Sequence, residues 1–162
     1  MDAYLDIETT GLSPSYAGVT VIGVYLVGDR GTKFHQLIGE TINRPAVLRL
    51  LEGVQTIYTY NGSRFDLPFL EEAIGVDLTQ HFEHHDLMYD CWECNLYGGL
   101  KAVERQLHIK RQLPDVDGYM AVVLWWRYLR DGDVSALRTL LKYNKEDVLN
   151  LRALREKLGA MI

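Results

Sequence analysis

The strongest constraint on this chain is a carboxylate standing where a helix should pack. Leu140, Tyr143, Asp147, Leu151, Leu154 and Leu158 follow steps of three and four residues, one stripe along one helical face. Every member except Asp147 is apolar or aromatic. An acid inside such a stripe requires a partner: a basic side chain, backbone donors or a metal ion. Tyr143 precedes Asp147 by one turn, so the two side chains meet. The start of the chain repeats the conflict. Residues 3–8 alternate as a strand does, with Asp6 and Glu8 on one face and Leu5 and Ile7 on the other. Strand interiors are depleted in acids, so a pair on one face is costly unless something neutralises it.

A fourth acid, Asp66, lies in Tyr60-Asn61-Gly62-Ser63-Arg64-Phe65-Asp66-Leu67-Pro68, after a short strand and at a helix start. There a carboxylate also suits capping of backbone N–H groups and the helix dipole. Periodicity and breakers predict further strands over 18–27, 32–37, 56–60 and 82–86. Helices are predicted over 46–51 (Pro45 at the start), 64–73, 100–107, 118–130 and 134–158. Strands first, strands mixed with helices next, and a helical C-terminal half predict an α/β or α+β fold, one domain over 1–162.

Composition narrows the class. At 162 residues, 48% hydrophobic and 24% charged, the chain is ordinary globular material rather than a disordered one. Its formal charge of −5 gives no basic footprint for a polynucleotide. The longest uncharged apolar run, 17–28, is too short to cross a bilayer. The N-terminus has neither a basic region nor an apolar core of the secretory kind. Cys91 and Cys94 alone cannot make a disulfide framework. The expectation is a soluble cytoplasmic protein with reduced thiols and no membrane partner.

The misplaced acids fall into three motifs. Asp6-Ile7-Glu8-Thr9-Thr10-Gly11 resembles the first exonuclease motif of the DEDD 3′–5′ exonucleases. Asn61 through Phe65-Asp66 resembles the second, N-x-x-x-F-D. Tyr143-Asn144-Lys145-Glu146-Asp147 resembles the third in its tyrosine form, the DEDDy type. The three occur in the family's order across nearly the whole chain. Gly99-Leu100-Lys101-Ala102-Val103-Glu104 and the run 143–148 are also similar to the YprB-type subgroup of RNase H-like exonucleases.

The resemblance implies an RNase H-like fold, a mixed central sheet beginning with three antiparallel strands and flanked by helices. It implies that Asp6, Glu8, Asp66 and Asp147 converge on two divalent cations. Hard oxygen donors suit Mg²⁺ or Mn²⁺ rather than Zn²⁺. In such enzymes paired ions clamp an in-line phosphoryl displacement. By resemblance Asp6 bridges both ions, Glu8 and Asp147 serve the ion carrying the nucleophilic water, and Asp66 serves the other through water. Tyr143 orients the water; a phenol pKa of about 10 makes it a poor base at neutral pH. Thr9, Gly11 and Leu12 receive the terminal nucleotide, with Asn61 and Phe65 beside them. The implied reaction is hydrolysis of single-stranded DNA or RNA from a 3′ end to nucleoside 5′-monophosphates. Alternatives on the same fold are an endonuclease, a phosphodiesterase for short oligonucleotides, and a non-catalytic nucleic-acid-binding module.

Other features carry less chemistry. Cys91-Trp92-Glu93-Cys94 with His81, His84 and His85 nearby lacks the second pair that a zinc site needs, so two thiols one helical turn apart are expected. Asp86 is placed as the cap of a following helix. Lys101, Arg105, Lys110 and Arg111 either contact phosphates or form a solvated face. Trp125 and Trp126, with Tyr119, Val122, Val123 and Leu129, are expected in the core. Four units of the −5 belong to Asp6, Glu8, Asp66 and Asp147, so the acidic balance is mostly the implied metal site.

Overall fold

The computed structural model describes residues 1–161. In chain order the elements are β1 (Asp2–Thr9), β2 (Val19–Gly28), β3 (Gly31–Ile38), α1 (Arg44–Leu50), β4 (Thr56–Thr59), α2 (Asp66–Ile74), β5 (Glu83–Asp86), α3 (Leu87–Glu93), α4 (Leu100–Gln106), α5 (Gly118–Asp131) and α6 (Val134–Met161). The five strands form one sheet in the order β3-β2-β1-β4-β5. β1, β2 and β3 run antiparallel, while β4 pairs parallel with β1 and β5 parallel with β4. This is the expected mixed sheet, with a helical C-terminal part.

Alternation along β1 separates two cores. Ala3, Leu5 and Ile7 pack with Val47, Leu51, Leu67 and Leu70, so α1 and α2 cover one face. Tyr4 packs with Leu87, Leu151, Leu154 and Leu158, which brings α3 and α6 onto the other. A third cluster, Val21, Leu124, Trp125, Leu140 and Tyr143, joins α5 to α6 and the sheet. Every member of the α6 stripe is buried, Asp147 included. One residue level of the sheet is aromatic from edge to edge: Phe34, Tyr25, Tyr4, Tyr58 and His85 are in register across all five strands. α6 lays Lys145, Arg152 and Arg155 over three of these rings, with the Arg155 guanidinium 4.0 Å from the Tyr58 ring centre. Such cation–π contacts contribute about 0.5–1 kcal/mol each and fasten α6 across the sheet.

The boundaries differ from expectation where side chains decide them. α1 starts at Arg44 because the Asn43 side chain accepts from the Ala46 amide at 2.9 Å. α2 starts at Asp66, since Asn61 sits in the left-handed region (φ 60°) and the preceding residues form turns. The tryptophan pair divides. Trp125 is buried, but Trp126, Tyr119 and Leu129 are exposed. The α5 stripe of Ala121, Leu124 and Trp125, flanked by Met120 and Tyr128, meets the core; Trp126 is one residue further round the helix, under Arg130 at 4.8 Å.

Candidate metal centre

The pleat of β1 aims Asp6 and Glu8 at α6, and the α6 stripe lowers Asp147 onto them. One carboxylate oxygen from each of the three lies within 4.8 Å of the others. Glu8 and Asp147 are buried, while Asp6 keeps some surface on the adjoining cleft. Burial, then Asp147, Glu8 and Asp66, hold the Asp6 acid well above the ordinary carboxylate range. Burial and the charge of Asp147 push Glu8 up to about 8. Burial also raises Asp147, against the opposing pull of Arg111. Glu8 Oε1 is buried without a hydrogen-bond partner among the described residues. Three converging carboxylates and an orphaned oxygen among them are a donor set that fits a hard divalent cation.

Asp66 is buried next to this trio rather than within it. Its Oδ2 accepts from the Ile7 amide on β1 at 3.1 Å, and burial lifts its pKa to about 7. It does not cap α2: the N-cap position is Phe65, and no side chain caps that helix. Tyr143 sits one turn before Asp147. Its ring faces the Lys101 ammonium at 5.0 Å and the Arg111 guanidinium at 5.5 Å. Burial and the neighbouring acids hold its phenol far above the ordinary range, so the hydroxyl keeps its proton and is not a general base. Asp6, Tyr60, Lys101, Tyr143 and Asp147 line a cleft of about 280 Å³.

Of the residues assigned to the terminal nucleotide, Thr9 ends β1, Gly11 and Leu12 follow it in a loop, and Asn61 and Phe65 lie in the segment before α2. Thr9 Oγ1 donates to the Gly11 carbonyl at 2.7 Å, and Leu12 is 83% exposed. Asn61 Oδ1 is buried without a partner, and Phe65 packs on Phe69 at 5.5 Å. Asp86 caps α3 as expected, accepting from the Met88 amide at 3.1 Å. It also accepts from the Asn61 and Ser63 amides at 2.8 and 3.1 Å, which pins the 61–65 loop.

The residues matched by the profile of the RNase H superfamily are 3–159. The chain belongs to the RNase H superfamily. The uncharacterized protein YprB of Bacillus subtilis (strain 168) is 28% identical over 169 aligned residues, which cover 93% of this chain. The chain spans 40% of the length of that curated relative. Among solved structures, NrnC of Brucella melitensis with bound Mg²⁺ matches at a TM-score of 0.64 and 22% identity, over 98% of this chain and 72% of that one. The family B DNA polymerase of Pyrobaculum calidifontis matches at 0.73 and 20%, over 97% and 24%. At these identities the structural likeness establishes the RNase H-like fold.

The four basic residues of 101–111 do not act together. Arg105 and Lys110 are solvated, Lys101 lines the cleft, and the Arg111 side chain is buried. Arg111 bonds to Asp147 and, at 2.6 Å, to Glu104. Glu104 is 1% exposed and also accepts from Asn150 at 2.6 Å. Sequence reading missed Glu104, although Leu100, Val103, Glu104 and Leu107 form the same kind of apolar stripe interrupted by an acid. Arg111 lies outside any regular element, so no periodicity marks it. The zinc alternative finds no support: the one acid, His or Cys cluster among the described residues is Asp6, Glu8 and Asp147. His84 bonds to Thr59 and His85 to Asp90.

These raised acids fix a pH dependence. Glu8 and Asp66 hold protons in the folded state that the unfolded chain releases above its ordinary carboxylate pKa. Unfolding therefore releases protons, and stability falls as pH rises. The metal-free protein is expected to lose on the order of 10 °C in Tm between pH 4.5 and pH 8, with millimolar Mn²⁺ restoring it at the upper end. Calorimetry with EDTA or Mn²⁺ checks this; a flat profile contradicts it.

Proposed function

We propose that this chain is a 3′–5′ exonuclease domain over 1–162, of the DEDDy type, hydrolysing single-stranded nucleic acid to nucleoside 5′-monophosphates. The observation that carries the reading is the convergence of Asp6, Glu8 and Asp147, two of them buried, with a protonated Tyr143 one turn before Asp147 at the mouth of a small cleft. NrnC of the same fold has been seen with Mg²⁺ and with pGG, which supports a metal-dependent site for a short nucleic acid. Asp6, Glu8 and Asp147, assisted by Asp66, would hold two Mg²⁺ or Mn²⁺ ions. Such ions supply the charge that activates a water and stabilises an in-line phosphoryl displacement.

The chain's own groups do the rest. The Tyr143 hydroxyl orients the attacking water by donating or accepting a hydrogen bond without losing its proton. Lys101, at the cleft wall, offers a charge to the phosphate. Leu12 stands free to pack on the terminal base, and Thr9 holds the turn through Gly11.

Tyr143→Phe removes only the hydroxyl from a packed ring. It is expected to lower kcat by about 10–100-fold, leave KM within about threefold and leave Tm within a few degrees. Steady-state kinetics with thermal melts check this; an unchanged kcat removes Tyr143 from the site. The function itself is tested with 5′-labelled single-stranded DNA and RNA and a dinucleotide in Mn²⁺. Stepwise shortening to mononucleotides, absent in Asp147→Ala, is expected. Internal fragments would assign an endonuclease, and intact substrate with both proteins would overturn the reading.

A further inference from the structure

The buried Arg111 has more acid around it than a single ion pair needs. Its Nη2 donates to Asp147 Oδ1, and its Nη1 reaches both Glu104 oxygens at 2.6 and 2.9 Å. Its Nε lies 3.5 Å from Glu146. The guanidinium side chain is 6% exposed. The loop that carries it is fixed from α6: Glu146 accepts from the Gln112 and Leu113 amides at 2.6 and 3.1 Å. Glu104 is fixed in turn by Asn150, one turn beyond Glu146 on the same helix. The cation is therefore held in place by α6, α4 and the intervening loop, and cannot swing away to solvent like a surface arginine.

Its position has a consequence for the acid trio. Arg111 takes one oxygen of Asp147, while the other carries no protein hydrogen bond among the described residues. An arginine fork sets the carboxylate plane as well as its charge. A fixed positive charge on a metal-ligand carboxylate also opposes a cation binding beside it, in a setting where water screens weakly. Glu104, on the guanidinium's other terminal nitrogen, moderates that charge.

We propose that Arg111 is a positioning residue that orients Asp147 and, balanced by Glu104, holds down the affinity of the acid trio for divalent cations. This rests on the metal-site reading above. In a site so tuned, the divalent cation concentration would govern how fully Asp6, Glu8 and Asp147 are occupied.

The test is Mn²⁺ titration by calorimetry at pH 7.5 with Asp147 left intact. Arg111→Gln is expected to bind Mn²⁺ about tenfold more tightly than wild type, yet to turn over more slowly at saturating Mn²⁺ because Asp147 is no longer oriented. Arg111→Lys, which keeps the charge, is expected to stay within about threefold of wild-type affinity. Should Arg111→Gln leave Glu104 unpaired and unfolded, the paired change with Glu104→Gln removes both buried charges and is expected to tighten Mn²⁺ several-fold. A merely structural arginine predicts weaker binding in every variant, and that result, or unchanged affinity, overturns the proposal while leaving the metal site standing. A wild type that takes up no Mn²⁺ overturns the metal site and this proposal with it.

Discussion

Asp6→Asn is expected to give a metal-free protein more stable than wild type and an enzyme with at least about 10³-fold less activity. The two effects have one cause. Asp6 shares its surroundings with Glu8 and Asp147, and burial plus those charges holds its acid well above the ordinary range. Above pH 4 the unfolded chain ionises that carboxyl freely, so folding must either protonate it or enclose another negative charge. Asparagine avoids the choice at nearly the same volume. The gain expected at pH 8 is about 1–3 kcal/mol, or about 3–10 °C in Tm, shrinking as the pH falls toward the ordinary carboxylate range. In millimolar Mn²⁺ the order reverses, because only the wild type gains the binding energy. Thermal melts at pH 8 with EDTA and with Mn²⁺ measure both signs. An Asp6→Asn protein less stable than wild type in EDTA would mean that the trio is not a cluster of repelling acids.

Gly23→Ala is expected to cost about 2–4 kcal/mol of stability and most of the activity, though residue 23 touches neither substrate nor metal. Gly23 pairs with Asp6 across β1 and β2, beneath Asn144 and Val148 of α6. A Cβ there would stand 2.1 Å from Asn144 Oδ1 and 2.9 Å from Val148 Cγ2. Asn144 is fully buried and braced on both sides. It donates to the Asp6 carbonyl at 3.2 Å, and its Oδ1 accepts from Gln36 at 3.0 Å. It has no room to yield, so the added methyl must push α6 outward. Asp147 lies three residues beyond Asn144 on that helix and moves with it. Circular dichroism melts and steady-state rates on one preparation check the coupling; a stable, fully active Gly23→Ala protein would mean that α6 is less tightly seated on β2.

Two of the places where acids interrupt a packing pattern, in β1 and α6, were legible in the sequence, and they locate the candidate site. Strand alternation put Asp6 and Glu8 together, and the three-and-four spacing put Tyr143 and Asp147 on the buried stripe. The mixed sheet with three antiparallel strands at its start followed from the resemblance, while the order of all five strands was not legible, because periodicity says nothing about neighbours in a sheet. Three things escaped. Asp66 was legible as an acid at a helix start, but its bond to Ile7 links residues far apart in the chain. Trp126 reads as core by composition, yet α5 buries too narrow a stripe to include it. Arg111 lies in a loop whose path depends on Glu146, and only the folded chain brings Glu104, Asp147 and Asn150 around it.

The central claim is that Asp6, Glu8 and Asp147 form a divalent-cation site. Anomalous scattering from crystals soaked in millimolar Mn²⁺ at pH 7.5 tests it most directly. The account predicts Mn²⁺ density in contact with the carboxylates of all three residues, with the Asp147 oxygen opposite Arg111 among the ligands. Absence of anomalous density at the trio, or Mn²⁺ bound elsewhere while the three acids remain protonated, would contradict it.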